Sequence, residues 1–450
     1  CHPRAVWGVP ESAGGGWVST YDEFLAAKAQ SIPREGRAVT PGDVHPMLHP
    51  WQADLVAWAV ETGRAAIWAD TGLGKTMMQL EWARLSAEVG ALVVAPLAVC
   101  QQTVREAAKL GIKAQYVREP GEVNRFGVNV TNYERLQQFP AFMFDAVVLD
   151  ESSILKQSDG KTRSMLIDWA RDVPHRLACS ATPAPNDPEE LTNQAEWLGR
   201  MSRTHMLAAY FIHDTDGWRL KGHARGPMVS WMSEWAVALR KPSDVGGDDT
   251  GYILPGLEIV PHLIPVQIEQ EGALFAAELG GVQGRAEVRR LTLADRVALT
   301  AELVASEADE PWLLWCGLNG EADALAARIP GAVNVHGSLD ADEKARLLLG
   351  FADGDYRVLI TKPSIASQGL NYQHCARMAF VGLGDSYEQY YQAIRRCYRY
   401  GQSRVVEAHV VLSDLESQIA ANVARKERQA NAITDALIRE SGRIRRKVPA

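Results

Sequence analysis

At 450 residues, with 46% hydrophobic and 23% charged residues, the chain is long enough for two or three domains, each with its own core. No apolar run approaches the roughly 20 residues that span a bilayer, and the N-terminal CHPRAVWGVPESAGGGW lacks the apolar centre of a signal peptide, so neither membrane insertion nor export is expected. The net charge of −8 argues against attraction of a polyanion by overall charge, and six cysteines without a Cys-x-x-Cys pair indicate neither zinc nor a disulfide framework, which suits a reducing cytoplasm.

Residues 1–45 are rich in Gly, Pro and Ser and form an N-terminal extension, with one helix expected around Tyr21–Gln30. From His45 the pattern becomes α/β. Strand-length apolar runs at Ala65–Ala69, Ala91–Ala95, Ala146–Leu149 and His175–Ser180 are separated by helical stretches such as Met77–Val89 and Gln101–Leu110. Buried strands alternating with helices predict a parallel sheet covered on both faces. The rhythm breaks from Pro183 to Leu257, where scattered tryptophans and the Gly246–Gly251 turn read as a mostly helical insertion and linker. It resumes at Pro311–Cys316, Ala332–His336, Arg357–Thr361, Met378–Val381 and Val405–Leu412. The expected division is therefore 46–183 for a first α/β domain, 184–260 for the insertion and linker, 261–412 for a second α/β domain, and 413–450 for a basic C-terminal helix. From Gln392 onward there are 12 Lys/Arg against 6 Asp/Glu, a balance shared by a solvated helix end and a nucleic-acid contact.

Two features carry chemistry. The strand ending near Asp70 runs into Thr71-Gly72-Leu73-Gly74-Lys75-Thr76, and a helix follows. This is the context of a phosphate-binding loop, whose backbone N–H groups and helix N-terminus cradle phosphates. Gly72 and Gly74 permit the tight wrap, Lys75 reaches the β- and γ-phosphates, and Thr76 offers its hydroxyl to Mg²⁺. The second feature is Asp150-Glu151 at the end of an apolar strand. Asp150 is placed to hold Mg²⁺, and Glu151 to polarise an attacking water. ATP and Mg²⁺ are the cofactors this pairing calls for.

Together these residues resemble a superfamily 2 helicase, nearest the Snf/Swi-type DNA translocases and related phage helicases, from His45 to about Leu412. That resemblance implies two tandem RecA-like domains. It assigns Gln52 to adenine recognition and sets Asp70, Thr71, Gly72, Leu73, Gly74, Lys75 and Thr76 around the nucleotide. Ala95-Pro96-Leu97 and Val130-Thr131-Asn132-Tyr133 match motifs that touch a nucleic-acid backbone. Ser180-Ala181-Thr182-Pro183 matches the motif coupling hydrolysis to domain movement. In the second block, Ala366 to Asn371 is similar to the fifth motif, with Gly369 and Asn371 at the nucleotide. Gln392 to Gln402 is similar to the sixth motif and directs Arg396 and Arg399 to the γ-phosphate across the cleft. A guanidinium, always charged, suits that task. One departure is Ser153, which stands where the family usually has a charged coupling residue. His336 fits either a turn near the nucleic acid or a structural turn.

The resemblance implies movement along double-stranded DNA; the further expectations are a monomer in a bacterial or phage-infected cell, with a nuclease or replication factor as a candidate protein partner. The alternatives are a strand-separating DNA or RNA helicase, favoured by a pin in the insertion, the ATPase subunit of a restriction or defence complex, and an ATP-gated binding protein.

Overall fold

The computed structural model describes residues 32–156, 160–215, 217–265, 289–366, 371–382, 384, 386–413 and 417–445. The helix expected around Tyr21–Gln30 and the residue Gly369 lie outside them, as does the tip of the basic tail.

Fifteen strands are present among the described residues: β1 (Arg64–Ala69), β2 (Ala91–Ala95), β3 (Ala114–Tyr116), β4 (Val128–Asn132), β5 (Ala146–Asp150), β6 (His175–Cys179), β7 (Phe211–Asp214), β8 (Gly217–Leu220), β9 (Ala236–Leu239), β10 (Leu257–Ile264), β11 (Trp312–Cys316), β12 (Val333–Val335), β13 (Val358–Thr361), β14 (Arg377–Val381) and β15 (Val406–Ser413). They form a seven-stranded sheet in the order β3-β4-β2-β5-β6-β1-β9, a six-stranded sheet in the order β10-β15-β14-β11-β13-β12, and the hairpin β7-β8. Every pairing within the two large sheets is parallel. These are the two tandem RecA-like lobes expected from the sequence.

Each central strand feeds two cores, because successive side chains point to opposite faces. Along β1, Ala65, Ile67 and Ala69 face one core and Ala66 and Trp68 the other. The first core is closed by α1 (Pro50–Thr62), α2 (Lys75–Ser86) and α3 (Leu97–Lys109). The second is closed by α4 (Lys161–Ala170), α5 (Leu191–Trp197), α6 (Arg203–Tyr210) and α7 (Arg225–Met232). In the second lobe, α8 (Leu293–Ser306) and α9 (Asn319–Arg328) cover one face. The other is covered by α10 (Ala341–Asp353), α11 (Pro363–Ala366) and α12 (Tyr387–Ile394).

Three expectations change. The 184–260 stretch is not a separate insertion: α5, α6 and α7 pack on the first sheet and β9 adds its edge strand beside β1. The physical reason is that Ala236–Leu239, four apolar residues shortly after helix α7, is buried throughout. The second lobe starts earlier than 261, since β10 runs in register with all of β15 from Leu257. The C-terminal helix, α13 (Ser417–Arg445), is not a solvated end over its described length. Val423 enters the core of the second lobe, while Ile433 and Leu437 enter that of the first.

Trp68, Trp235 and Trp231 stack edge-to-face in sequence inside the first lobe. His336 closes a local turn through Ser338 Oγ at 2.7 Å.

Candidate active site between the lobes

Strands β5, β6 and β1 are parallel neighbours, so the loops after Asp150, Cys179 and Ala69 emerge at one carboxyl edge. Ligand sites of open α/β sheets form at such edges.

The loop after β1 is forced on two counts at each of two glycines. Gly72 has φ +88, and a Cβ there would lie 2.8 Å from Tyr400 Cβ of the second lobe. Gly74, with φ +75, caps α2, and its Cβ would meet Gln52 Nε2 at 2.4 Å. Lys75 Nζ donates to Ala69 O at 2.8 Å and Asp70 O at 3.3 Å, so the ammonium turns back over the loop. Thr76 follows on the first turn of α2, half-buried. Gln52 braces the loop rather than projecting from it: its Nε2 donates to Leu73 O at 3.0 Å and its Oε1 accepts from His49 N at 2.9 Å.

Beside Gln52 is a cavity of about 410 Å³, lined by His49, Trp51, Asp54, Gly247, Asp248 and Tyr252 among others. The Tyr252 ring stands edge-on to those of His49 and Trp51 and 5.0 Å from Tyr400. No sequence pattern singles out Tyr252, an isolated aromatic in a polar turn. Trp51, adjacent to the glutamine, could have been found from that neighbour.

Asp150 and Glu151 end β5. Asp150 Oδ1 accepts from Gln79 Nε2 at 2.7 Å. Burial raises the Asp150 carboxyl, with the Gln79 bond and Lys75 opposing. Glu151 has φ +60, the one non-glycine in the left-handed region among the described residues. That strained backbone marks a place where surrounding structure holds a residue out of its preference. Burial pushes the Glu151 carboxyl up to about 7; Lys75 and Arg396 pull it down, while Asp150 and Glu388 push it further up. Ser180 Oγ stands 3.4 Å from Glu151 Oε2 and accepts from Thr182 N at 3.0 Å, linking the third loop to the second.

Asn132 ends β4 and Tyr133 opens the turn after it. Both side chains are buried. Tyr133 OH donates to Asp150 O at 2.5 Å, fastening the strand end that carries the carboxylates.

The second lobe presents α12 and the turn after it. Arg396 is 5% exposed; its guanidinium donates to Gln392 O and to Gln392 Oε1, at 3.1 and 3.0 Å, and interacts electrostatically with Glu151. Burial lowers the Arg396 guanidinium, and Glu151 counters it. Arg399 donates to Asn371 Oδ1 and is pushed down to about 10 by burial, with Arg396 and Arg395 adding to the effect.

The Asp70 carboxylate is committed to the second lobe: Oδ2 accepts from Arg395 Nη2 at 2.5 Å and Oδ1 from Tyr391 OH. Oδ1 also accepts from Thr71 N at 2.6 Å. Arg395 lies in the same stretch as Arg396 and Arg399, the two arginines the motif pattern singles out. Its distinguishing signal is placement between Tyr391 and Tyr398, whose rings lie 5.1 and 5.3 Å from the guanidinium. A second ion pair, Lys156 with Glu388, joins the turn after Glu151 to the first turn of α12. Among the described residues no group of three or more His, Cys, Asp or Glu side chains is placed to hold a metal. Mg²⁺ needs no such cage, since one or two carboxylates with substrate phosphates and water complete its shell, and Asp150 with Thr76 is a donor set of that kind.

Two family models match the chain: the SNF2-related domain over residues 51–199 and the helicase conserved C-terminal domain over residues 300–401. The chain is 22% identical over 437 residues to the Mus musculus protein "DNA annealing helicase and endonuclease ZRANB3", a match covering 86% of this chain and 40% of that protein. It thus spans about two fifths of the length of that relative. It is also similar to the Sulfolobus solfataricus SWI2/SNF2 ATPase core in complex with dsDNA, over 92% of this chain and 97% of that one, at 16% identity and a TM-score of 0.43.

Proposed function

The chain belongs to the SNF2-type helicases of superfamily 2, an ATP-hydrolysing family, and from that premise we propose that it couples ATP hydrolysis in the interlobe cleft to movement along double-stranded DNA. The observation that carries this reading is the convergence of three elements on one cleft. The Thr71–Thr76 loop and Asp150-Glu151 come from the first lobe, and Arg396, which faces Glu151, comes from the second.

In this reading the loop's N–H groups and Lys75 hold the phosphates, and Glu151 takes a proton from the attacking water. Arg396 and Arg399 offset the charge that develops on the transferred phosphoryl group. Thr76 and Asp150 would hold Mg²⁺, which when bound neutralises phosphate charge. Because the arginines come from the opposite lobe, hydrolysis requires closure, and repeated closure displaces one lobe against the other. The name of the mouse relative, a DNA annealing helicase, supports DNA as the track. Contacts to a backbone are largely sequence-independent and salt-sensitive.

One observation favours a second reading. The hairpin β7-β8 stands outside both large sheets, with the pair His213–Trp218 near its tip at 4.9 Å and Trp218 36% exposed. An aromatic-tipped hairpin is suited to separating strands, since exposed rings can stack on unpaired bases. ATPase assays without nucleic acid, then with duplex DNA, single-stranded DNA and RNA, test the function. Triplex displacement and duplex unwinding then divide translocation from strand separation. Absence of stimulation by any nucleic acid, with Lys75→Ala as active as the wild type, would sink the motor reading.

A further inference from the structure

Helix α12 touches the first lobe at both of its ends. Glu388, Tyr391 and Arg395 are spaced i, i+3 and i+7, which places them on one helical face. At the N-terminal end, with Ser386 capping the helix through Gln389 N, Glu388 pairs with Lys156. At the C-terminal end, Arg395 and Tyr391 hold Asp70. The two first-lobe anchors are not arbitrary. Lys156 closes the turn Ser152–Lys156 that follows Asp150-Glu151, and Asp70 opens the phosphate loop.

We propose that Lys156 and Asp70 are positioning residues that fix α12 at two points and thereby set Arg396 against Glu151. The proposal rests on the ATPase reading above. One contact would leave a helix of eight residues, about 12 Å long, free to pivot; two contacts fix its direction. Arg396 adjoins Arg395 in sequence, so a pivot about the helix end moves it directly. The anchors are suited to the task. Both pairs are charge-assisted and largely withdrawn from solvent, with side-chain exposures of 29% and 13% for Lys156 and Glu388, and 15% and 9% for Arg395 and Asp70. Burial works against the Arg395 charge, but Tyr391 and Asp70 together hold its guanidinium above the ordinary arginine value. Ser153, in the same turn as Lys156, is buried. The charged contact with the second lobe is made three residues later.

The test is a charge exchange in the full chain. Lys156→Glu and Glu388→Lys should each lower DNA-stimulated kcat on the order of 10-fold or more while KM for ATP stays within about 3-fold, because the pair acts on alignment rather than nucleotide binding. The double exchange should recover kcat to within about 3-fold of wild type. If Lys156→Glu does not fold, Lys156→Gln and Glu388→Gln take its place: each alone should lower kcat as much as both together. Single variants with unchanged kcat, a double exchange no better than the poorer single, or additive neutral variants would overturn the proposal. Lys75→Ala in parallel separates the two levels. Wild-type turnover that survives Lys75→Ala removes the ATPase reading and this proposal with it; turnover that Lys75→Ala abolishes leaves only the positioning roles at stake.

Discussion

Asp70 and Arg395 lie 325 positions apart in sequence and 2.5 Å apart in space, one at the mouth of the phosphate loop and the other at the end of α12. The contact makes the loop itself part of the interlobe surface. Asp70→Asn keeps the volume and the Tyr391 partner but removes the charge facing Arg395. It should reduce DNA-stimulated kcat roughly 10- to 100-fold while nucleotide affinity changes by less than about 3-fold, since a buried guanidinium is left without its anion. Equilibrium binding of a fluorescent ATP analogue beside steady-state turnover checks this. A large loss of affinity with kcat preserved would return Asp70 to the nucleotide.

Glu151 gives the pH dependence a sign. Its carboxyl is pushed up to about 7 by burial, and the proposed role requires the ionised form. The acidic limb of kcat/KM, which reports the free enzyme, should therefore fall near pH 7 rather than near the ordinary carboxylate range. Stability runs the other way. A carboxyl raised above its unfolded value of 4.5 binds its proton more tightly in the folded state. Its contribution is present below pH 4.5 and is lost as pH rises through about 7. Glu151→Gln should abolish turnover yet raise stability at pH 8, on the order of 1–3 kcal/mol. Chemical denaturation at pH 5 and pH 8 measures the difference; equal gains at both pH values would contradict it.

Much of the site is local chemistry and could be read from the sequence. The Thr71–Thr76 loop has its glycines where φ is positive, and Asp150-Glu151 ends an apolar run that is indeed β5. Short uniform apolar runs such as Leu92–Val94 and Leu313–Trp315 gave the central strands, because burial on both faces leaves no polar register to hide them. The strand β4 escaped for the opposite reason. Asn129 and Thr131 break its apolar run, and both are buried only because their side chains bond to backbone carbonyls of Ala91, Asn124 and Val117. Strand β9, four residues long, is too short to stand out beside the helical stretches before it. The interlobe pairs Asp70–Arg395 and Lys156–Glu388 depend on how two lobes meet, and no periodicity within one segment encodes that.

Gly72 offers a test of the lobe contact that leaves charge untouched. A methyl group there would meet Tyr400 Cβ at 2.8 Å, and φ +88 would strain any other residue. Gly72→Ala should cut nucleic-acid-stimulated turnover at least about 10-fold, the strain alone being on the order of 1–2 kcal/mol. Pairing it with Tyr400→Gly removes the side chain in the way and should recover part of the loss, the remainder being backbone strain. Turnover of the double variant no better than that of Gly72→Ala would show that Tyr400 is not the obstacle.

The C-terminal helix is the last point at which sequence and structure part, and it can be decided by stability alone. Its Lys/Arg-rich composition fits a solvated end, yet Leu437 is fully buried and Ile433 nearly so in the first-lobe core, while Val423 is buried in the second. Polar ties reinforce the docking: Arg240 donates to Asp435 at 2.5 Å and to Asn431 Oδ1 at 2.9 Å, and Arg225 donates to Ala432 O at 2.7 Å. Removing the Leu437 side chain leaves a cavity between α13 and the helices on the first sheet, a change that costs about 2–5 kcal/mol in well-packed cores. Leu437→Ala should therefore lower the urea midpoint markedly, whereas Arg439→Ala, two residues on, should shift it by less than about 0.5 kcal/mol. Equal, small effects at both positions would mean that the helix is not seated on the first lobe in solution.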